Sequence, residues 1–376
     1  MKTVKRKECV SCGAKLKAQH TIKQFPIYMG AGKYDPSTDK FADMVFAKCV
    51  ECNCVQMKNL IPLDILYENG HAGSVGRKWL LHHKQFAEFI SRFATGHLVE
   101  VGGAQLNLAK YLEKNENIKT ITVYDTNLKC YGNKETDKIK LREQFFDKDT
   151  VGVIPDGIIH SHVIEHLYNP KSEIKDMSDL LEDGSYMFIS APVVDKMMRD
   201  GFTNAMNFEH TYGLTKNLLY KILSHAKLKI IDEQDYSEYC VFIVAQKDAQ
   251  TSDTPEFDNV EDSSYFHDFI FDRQTETGRI KGSLTEKREN TFIFGAHIFT
   301  QFLLKFGLNE SSFSFILDND LDKQGCRLYG TNLVVKSPKI LKDIESPLVV
   351  LKAAQYTEEI KADILENINP NTRFIL

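Results

Sequence analysis

The stretch from Leu98 to Asp125 most constrains what this chain can become. It reads His97-Leu98-Val99-Glu100-Val101-Gly102-Gly103-Ala104, then a helical run through Tyr111 and Leu112, then Ile121-Thr122-Val123-Tyr124-Asp125. The order is strand, glycine turn, helix, strand, acid. Such a unit belongs in a parallel α/β sheet, where ligands sit beyond the carboxyl ends of the strands. Gly102 and Gly103 permit a tight turn and let a ligand approach the backbone. Asp125 ends the second strand, where a carboxylate can hydrogen-bond both hydroxyls of a ribose. Ala104 and Leu106 fill later slots of the turn, so a full G-x-G-x-x-G is absent, and no Walker lysine is present. An ordinary β-α-β unit without a ligand is the competing reading at this stage.

A chain of 376 residues has room for two or three domains. A net charge of −5 argues against a nucleic-acid partner, which normally meets a basic face. No apolar run approaches the roughly 18 residues needed to span a bilayer, so no membrane partner is expected. The basic run Lys2 to Lys7 lacks the apolar stretch of a signal peptide, so a cytoplasmic location is expected. In a reducing compartment, paired cysteines read as metal ligands before disulfides.

Two such pairs occur in residues 1–62, the expected zinc-binding domain. Cys9-Val10-Ser11-Cys12-Gly13 is one knuckle and Cys49-Val50-Glu51-Cys52-Asn53 the other. Two intervening residues let both sulfurs of a pair turn toward one ion, and four thiolates close a tetrahedral, structural zinc site. The expected ligands are Cys9, Cys12, Cys49 and Cys52. Strands at Ile22 to Tyr28 and Met44 to Ala47 would fill the long gap between the pairs. Cys54 is read as a bystander, and His20 as a competitor for a ligand place.

Residues 63–247 then hold the sheet domain. A helix from Trp79 to Phe93 leads into it, with His82 and His83 read as solvated or packing residues. Further strands are expected at Gly157-Ile158-Ile159, Tyr186 to Ser190, Leu228 to Ile231 and Cys240 to Ala245. Two histidine constellations stand among them. His162-Val163-Ile164-Glu165-His166 carries the letters of an inverted zinc-protease motif. It follows a buried strand directly, however, where that motif needs a long helix. Asn207-Phe208-Glu209-His210 follows the fifth strand, and a carboxylate beside a histidine in a loop can make a general base with its orienting partner. Satisfied loop histidines are the plain alternative. Residues 248–376 comprise an acidic linker, Asp248 to Asp262, and a second Rossmann-like pattern. That pattern has strands at Thr291 to Phe294, Phe313 to Leu317 and Pro347 to Leu351, with Gly295 after the first.

Glu100, the short glycine turn and Asp125 resemble the cofactor site of an S-adenosylmethionine (SAM) methyltransferase. The order of parts resembles the sugar C-methyltransferase family, which acts on nucleotide-linked keto-deoxysugars. The best local matches are Cys49-Val50-Glu51-Cys52 with Val55-Gln56, Phe208-Glu209-His210-Thr211-Tyr212, Phe294-Gly295-Ala296, and Asp318 through Lys323-Gln324-Gly325 to Tyr329-Gly330-Thr331. The resemblance covers nearly the whole chain. It implies a structural zinc, SAM held by Glu100, Gly102, Gly103 and Asp125, and a nucleotide-sugar substrate. It implies a catalytic pocket lined by Tyr67, His166, Glu209 and His210, with His210 as base and Glu209 orienting it. Asn207 stands where the family carries a tyrosine, and Gly103-Ala104-Gln105 is less acidic than the family's first turn. O- or N-methylation of a sugar or related metabolite, and a non-catalytic SAM-binding protein, are the competing readings.

Overall fold

The computed structural model describes residues 2–68, 77–205, 207–237, 239–251, 262–284, 290–353 and 356–376. Residues 252–261 of the acidic linker lie outside them. Near the N-terminus, β1 (Leu16–Pro26), β2 (Phe41–Cys49) and β3 (Val55–Met57) form an antiparallel sheet in that order. These strands are longer than the sequence suggested. Lysines and glutamines on the solvent face of β1 hide its extent, while Ile22 and Phe25 face the core.

The central sheet has seven strands: β4 (Gly96–Val101), β5 (Ile118–Tyr124), β6 (Ile139–Arg142), β7 (Gly157–Ser161), β8 (Tyr186–Pro192), β9 (Leu228–Ser237) and β10 (Cys240–Lys247). Their spatial order is β9-β10-β8-β7-β4-β5-β6, and all pairs are parallel except those made by β10. The order reverses between β4 and β7, and such a switch point opens a crevice at the carboxyl ends of the strands. Strand β10 shows why the sheet is stable. Its side chains alternate between two cores, as a doubly covered strand requires. Val241, Ile243 and Ala245 face one, and Cys240, Phe242 and Val244 the other. Helix α1 (Arg77–Ile90) covers the second face through Phe86, Phe89 and Ile90. Helices α2 (Asn107–Leu112), α3 (Pro170–Ser178) and α4 (Lys216–His225) complete the two layers.

After α5 (Ser264–Ser283) comes a second, all-parallel sheet. It contains β11 (Thr291–Phe294), β12 (Phe315–Leu317), β13 (Val335–Lys336), β14 (Leu348–Leu351) and β15 (Arg373–Ile375), in the order β13-β12-β11-β14-β15. The molecule is thus mixed α/β with one large Rossmann-like sheet and a smaller one.

The N-terminal sheet is wedged between the other two. Its edge strand β3 pairs with the loop that follows β8: Met57 N donates to Thr211 O at 2.7 Å, and Gly213 N to Val55 O at 2.8 Å. Arg6 locks this joint. Its buried guanidinium donates to Met57 O, Thr211 O, Thr211 Oγ1 and Tyr168 O at 2.8–3.1 Å. On the other side, Arg327 makes a two-pronged ion pair with Asp39, at 2.7 and 2.8 Å. Among the described residues, no helix is long and apolar enough to cross a membrane.

Candidate active site

The crevice at the switch point begins at Glu100, the penultimate residue of β4. Gly102 turns the chain with φ +81°, a left-handed conformation that glycine adopts without strain. A Cβ there would also lie 2.5 Å from Val163 Cγ2, so the turn can approach the β7 loop only as glycine. A Cβ on Gly103 would meet the Glu100 carboxyl carbon and Val123 at 2.7 Å. The Glu100 carboxyl therefore lies packed beneath the glycine turn instead of standing open in the crevice. Burial first, then the Asp125 charge, push its pKa up to about 8. Asp125 follows β5 at the crevice rim, half-buried, where its Oδ1 accepts from Asn127 N at 2.8 Å. Glu100, Gly102, Gly103 and Asp125 are thus brought to one crevice.

The β7 strand ends at Ser161, and a short turn, Ile164–His166, follows. It places Glu165 and His166 beside His210, with one ligand-type atom from each within 4.8 Å of the others. The His166 and His210 rings meet edge to face, 4.8 Å apart. The Tyr67 hydroxyl lies 3.2 Å from His166 Nδ1, and Glu209 Oε2 lies 4.0 Å from the same nitrogen. Burial first, then the charges of Glu209, Tyr168, Glu165 and Asp125, raise the Tyr67 pKa well above its ordinary value, so Tyr67 is a neutral phenol. The Asp125 charge thus reaches Tyr67 at the histidine cluster.

His210 Nδ1 faces two backbone carbonyls, Asn204 O at 3.1 Å and Ala205 O at 3.3 Å. Carbonyls only accept, so Nδ1 carries the hydrogen and Nε2 keeps the lone pair. The ring is oriented by these backbone groups, and Glu209, next in sequence, lies near His166 instead. Asn207 builds the turn: its Oδ1 accepts from Glu209 N at 2.7 Å and His210 N at 3.2 Å, and its Nδ2 donates to Asn204 O.

Two contributors, Arg6 and His297, carry no mark in the sequence reading, and His162 stands there only within a zinc-protease-like motif. His162, at φ +55°, holds Glu165 through Nδ1 at 3.1 Å. Burial works against both charges, but their hydrogen bond, with Cys240 on the His162 side, overcomes it; the His162 pKa rises and that of Glu165 falls. Arg6 sat unmarked in a basic run. His297, beyond β11, feels Glu209; burial and Lys323 lower its pKa to about 4. Its place after a strand and Gly295 was the available signal.

The four cysteines of the N-terminal knuckles also converge. Cys9 Sγ lies 3.6 Å from Cys52 Sγ, and Cys12 Sγ 3.4 Å from Cys49 Sγ, all four within 4.8 Å. Backbone N–H groups of Ser11, Glu51 and Cys52 point at these sulfurs. Cys54 is buried beside them, hydrogen-bonded to Cys9 and to Val55 O, but is not one of the four converging sulfurs.

Residues 78–232, which carry the crevice and the histidine cluster, match the family model described as a methyltransferase domain. The chain is a SAM-dependent methyltransferase. No curated protein matches its sequence. Solved structures similar to it include the N-methyltransferase NodS from Bradyrhizobium japonicum WM9 in complex with S-adenosyl-L-homocysteine. The two are 17% identical, with 46% of this chain and 86% of that one covered and a TM-score of 0.34. An O-methyltransferase family 2 protein from Planctomyces limnophilus, in complex with apigenin, is 15% identical over 46% of this chain and 61% of that one, TM-score 0.38. A complex containing the Haloferax volcanii Trm112 methyltransferase activator gives 10% identity over 46% of this chain and 92% of that one, TM-score 0.37.

Proposed function

We propose that this methyltransferase transfers its methyl group to carbon, on a nucleotide-linked keto-deoxysugar. The observation that carries the reading is His210: its Nδ1 hydrogen is committed to backbone carbonyls, which leaves Nε2 as a proton acceptor beside His166. A ketone at sugar C4 acidifies the hydrogen on C3. His210 Nε2 takes that proton, and the C–H electron pair moves onto the carbonyl oxygen as an enolate. Tyr67, a neutral phenol, and His166 donate hydrogen bonds to the developing oxyanion. Glu209 holds His166 in place. SAM, when bound, supplies an electrophilic methyl carbon whose bond to sulfur breaks as its bond to the enolate carbon forms. Asp125 would hold the ribose, and Gly102 and Gly103 would give the methionine end its backbone approach over Glu100.

The N-terminal cysteines fit a structural zinc. Four sulfurs at about 2.3 Å from one ion lie about 3.8 Å apart, close to the separations here. Residues 1–62, 63–247 and 248–376 then divide the work: a metal-stiffened module, the SAM-binding sheet, and a second sheet that helps hold the nucleotide.

O- or N-methylation is the second reading. Asn207 favours it, because a group committed to the loop backbone stands where the family has a tyrosine. Hydrogen exchange separates the two. A nucleotide-linked 4-keto sugar should exchange its C3 hydrogen with deuterated water when enzyme and S-adenosylhomocysteine are present. His210→Asn should abolish exchange and methylation while leaving SAM affinity nearly unchanged. A genuine substrate methylated without deuterium uptake, by a His210→Asn enzyme that keeps most of its rate, would refute C-methylation.

A further inference from the structure

A second group of metal-type ligands adjoins Glu165, which also lies beside His166 and His210. It joins three separate elements: His82 on α1, His162 in the turn after β7, and Cys240 at the start of β10. Cys240 Sγ lies 3.7 Å from His82 Nε2 and 3.7 Å from His162 Nε2. One ligand atom from each of the three residues falls within 4.8 Å of the others. His82 and Cys240 are buried, and the His162 side chain is 22% exposed.

From these distances we infer that His82, His162 and Cys240 form a binding site for a divalent ion of the zinc class. A tetrahedral ion with nitrogen at about 2.0–2.1 Å and sulfur at about 2.3 Å has nitrogen–sulfur edges of about 3.6 Å. Both edges here are within about 0.1 Å of that value. The ligand set, two imidazoles and one thiolate, suits zinc and not calcium or magnesium, which take oxygen. The surroundings are those of a ligand sphere. Glu165 Oε1 lies 3.1 Å from His162 Nδ1, the carboxylate–histidine arrangement that turns Nε2 toward a metal. The left-handed backbone of His162 brings its ring into place, at a conformational cost that a non-glycine residue rarely bears without a role. The Trp79 ring stands 4.8 Å from His162, edge to face, and shields it from water. Ser190 Oγ, 2.8 Å from His82 Nε2 and 3.4 Å from Cys240 Sγ, flanks the remaining side. Three protein ligands with one side left to a hydroxyl or water is an open arrangement, unlike the closed four-cysteine set.

Binding replaces the S–H bond of Cys240 and the Nε2–H bond of His162 with bonds to the metal and releases both protons to solvent; His162 keeps its Nδ1 hydrogen on Glu165, and both histidines bind as neutral imidazoles. The ion ties α1 to the sheet and to the turn that carries Glu165. This places it one carboxylate away from the histidine cluster.

The test is metal stoichiometry on the full chain, loaded with Zn2+, freed of excess metal and measured by elemental analysis. The inference expects Cys240→Ala and His82→Phe each to lower zinc by one ion per chain. Cys9→Ser with Cys12→Ser should remove a different ion. Co2+ loading adds an independent readout: the thiolate charge-transfer absorption should lose one component in Cys240→Ala and keep the four-thiolate bands. Should Cys240→Ala not fold, His82→Phe still decides, since it replaces the ligand with an apolar ring among the Phe86, Phe242 and Trp79 rings that already pack on His82. Zinc content unchanged in either folded variant overturns the site. A wild-type chain holding a single ion, lost in the Cys9 and Cys12 variant, overturns it too. A single ion lost in Cys240→Ala would support it and count against the four-cysteine site instead.

Discussion

Replacing Glu100 with glutamine should flatten one component of the protein's pH-dependent stability, by an amount the structure sets. The carboxyl is buried under Gly103 and beside the Asp125 charge, and its pKa moves from 4.5 to about 8. In the unfolded chain the group ionises near 4.5. Between pH 4.5 and 8 the unfolded chain has therefore released a proton that the folded chain keeps. Folded stability falls as pH rises through this window. Below it both states are protonated and the difference vanishes; above about 8 the penalty is complete. At 1.36 kcal/mol per pKa unit, the full penalty is about 5 kcal/mol. Glutamine carries no charge, so this slope disappears. Because Glu100 Oε2 has no hydrogen-bond partner among the described residues, the new amide adds an offset that does not vary with pH. Urea unfolding of ligand-free wild type and variant, from pH ~5 to ~9, gives the difference directly. It should climb by about 1.4 kcal/mol per pH unit until about pH 8 and then level off. A constant difference across that range would refute the reading of Glu100 as a neutral acid beneath the glycine turn.

Three further perturbations probe other parts of the design. Asp125→Ala removes a charge-assisted acceptor worth roughly 1.5–3 kcal/mol, so SAM affinity by calorimetry should drop at least about tenfold; undiminished binding would move the ribose site elsewhere. Cys9→Ser with Cys12→Ser should lose zinc and unfold the N-terminal sheet at lower temperature, since metal binding is coupled to folding; zinc retained in full by elemental analysis counts against those ligands. Arg6→Met leaves buried acceptors at Thr211 and Tyr168 without their donor, at a cost of about 2–4 kcal/mol. It should lower kcat through the His210 loop with SAM affinity nearly unchanged, and a full kcat at reduced Tm would confine Arg6 to stability.

The strands that build the crevice were legible because buried parallel strands read as continuous apolar runs. Leu98 to Val101 and Ile121 to Tyr124 are of this kind, and Cys240 to Ala245, antiparallel to both neighbours but covered on both faces, reads the same way. Strand β6 was not: Ile139-Lys140-Leu141-Arg142 is short, sits on an edge and puts two cations in four residues. Strand β9 ran on past Ile231 for the same reason, since Asp232, Glu233 and Asp235 suit an edge strand facing water. The candidate residues of the pocket could be named from motifs, but their partnerships could not. Glu209 and His210 are adjacent in sequence, yet in the tight turn built by Asn207 their side chains serve different neighbours. His82 looked like a surface or packing histidine, because one helix gives no view of the strand beneath it. Arg6 lies 205 residues from Thr211, a pairing that no local pattern encodes.

The pairing of β3 with the Thr211–Gly213 segment sets a timetable for synthesis. A ribosome delivers Val55–Met57 long before it delivers the loop that will cover them. Until then the nascent N-terminal sheet shows an open edge, with unpaired amide and carbonyl groups ready to recruit a strand from another chain. Domains generally fold in the order they emerge, so this interval recurs with every molecule made. Slow elongation through residues 60–210 would lengthen the exposure, and a chaperone that shields extended edges would shorten the list of wrong pairings. Soluble yield during expression should therefore depend on the rate of translation across that span, even where the stability of the finished protein does not change.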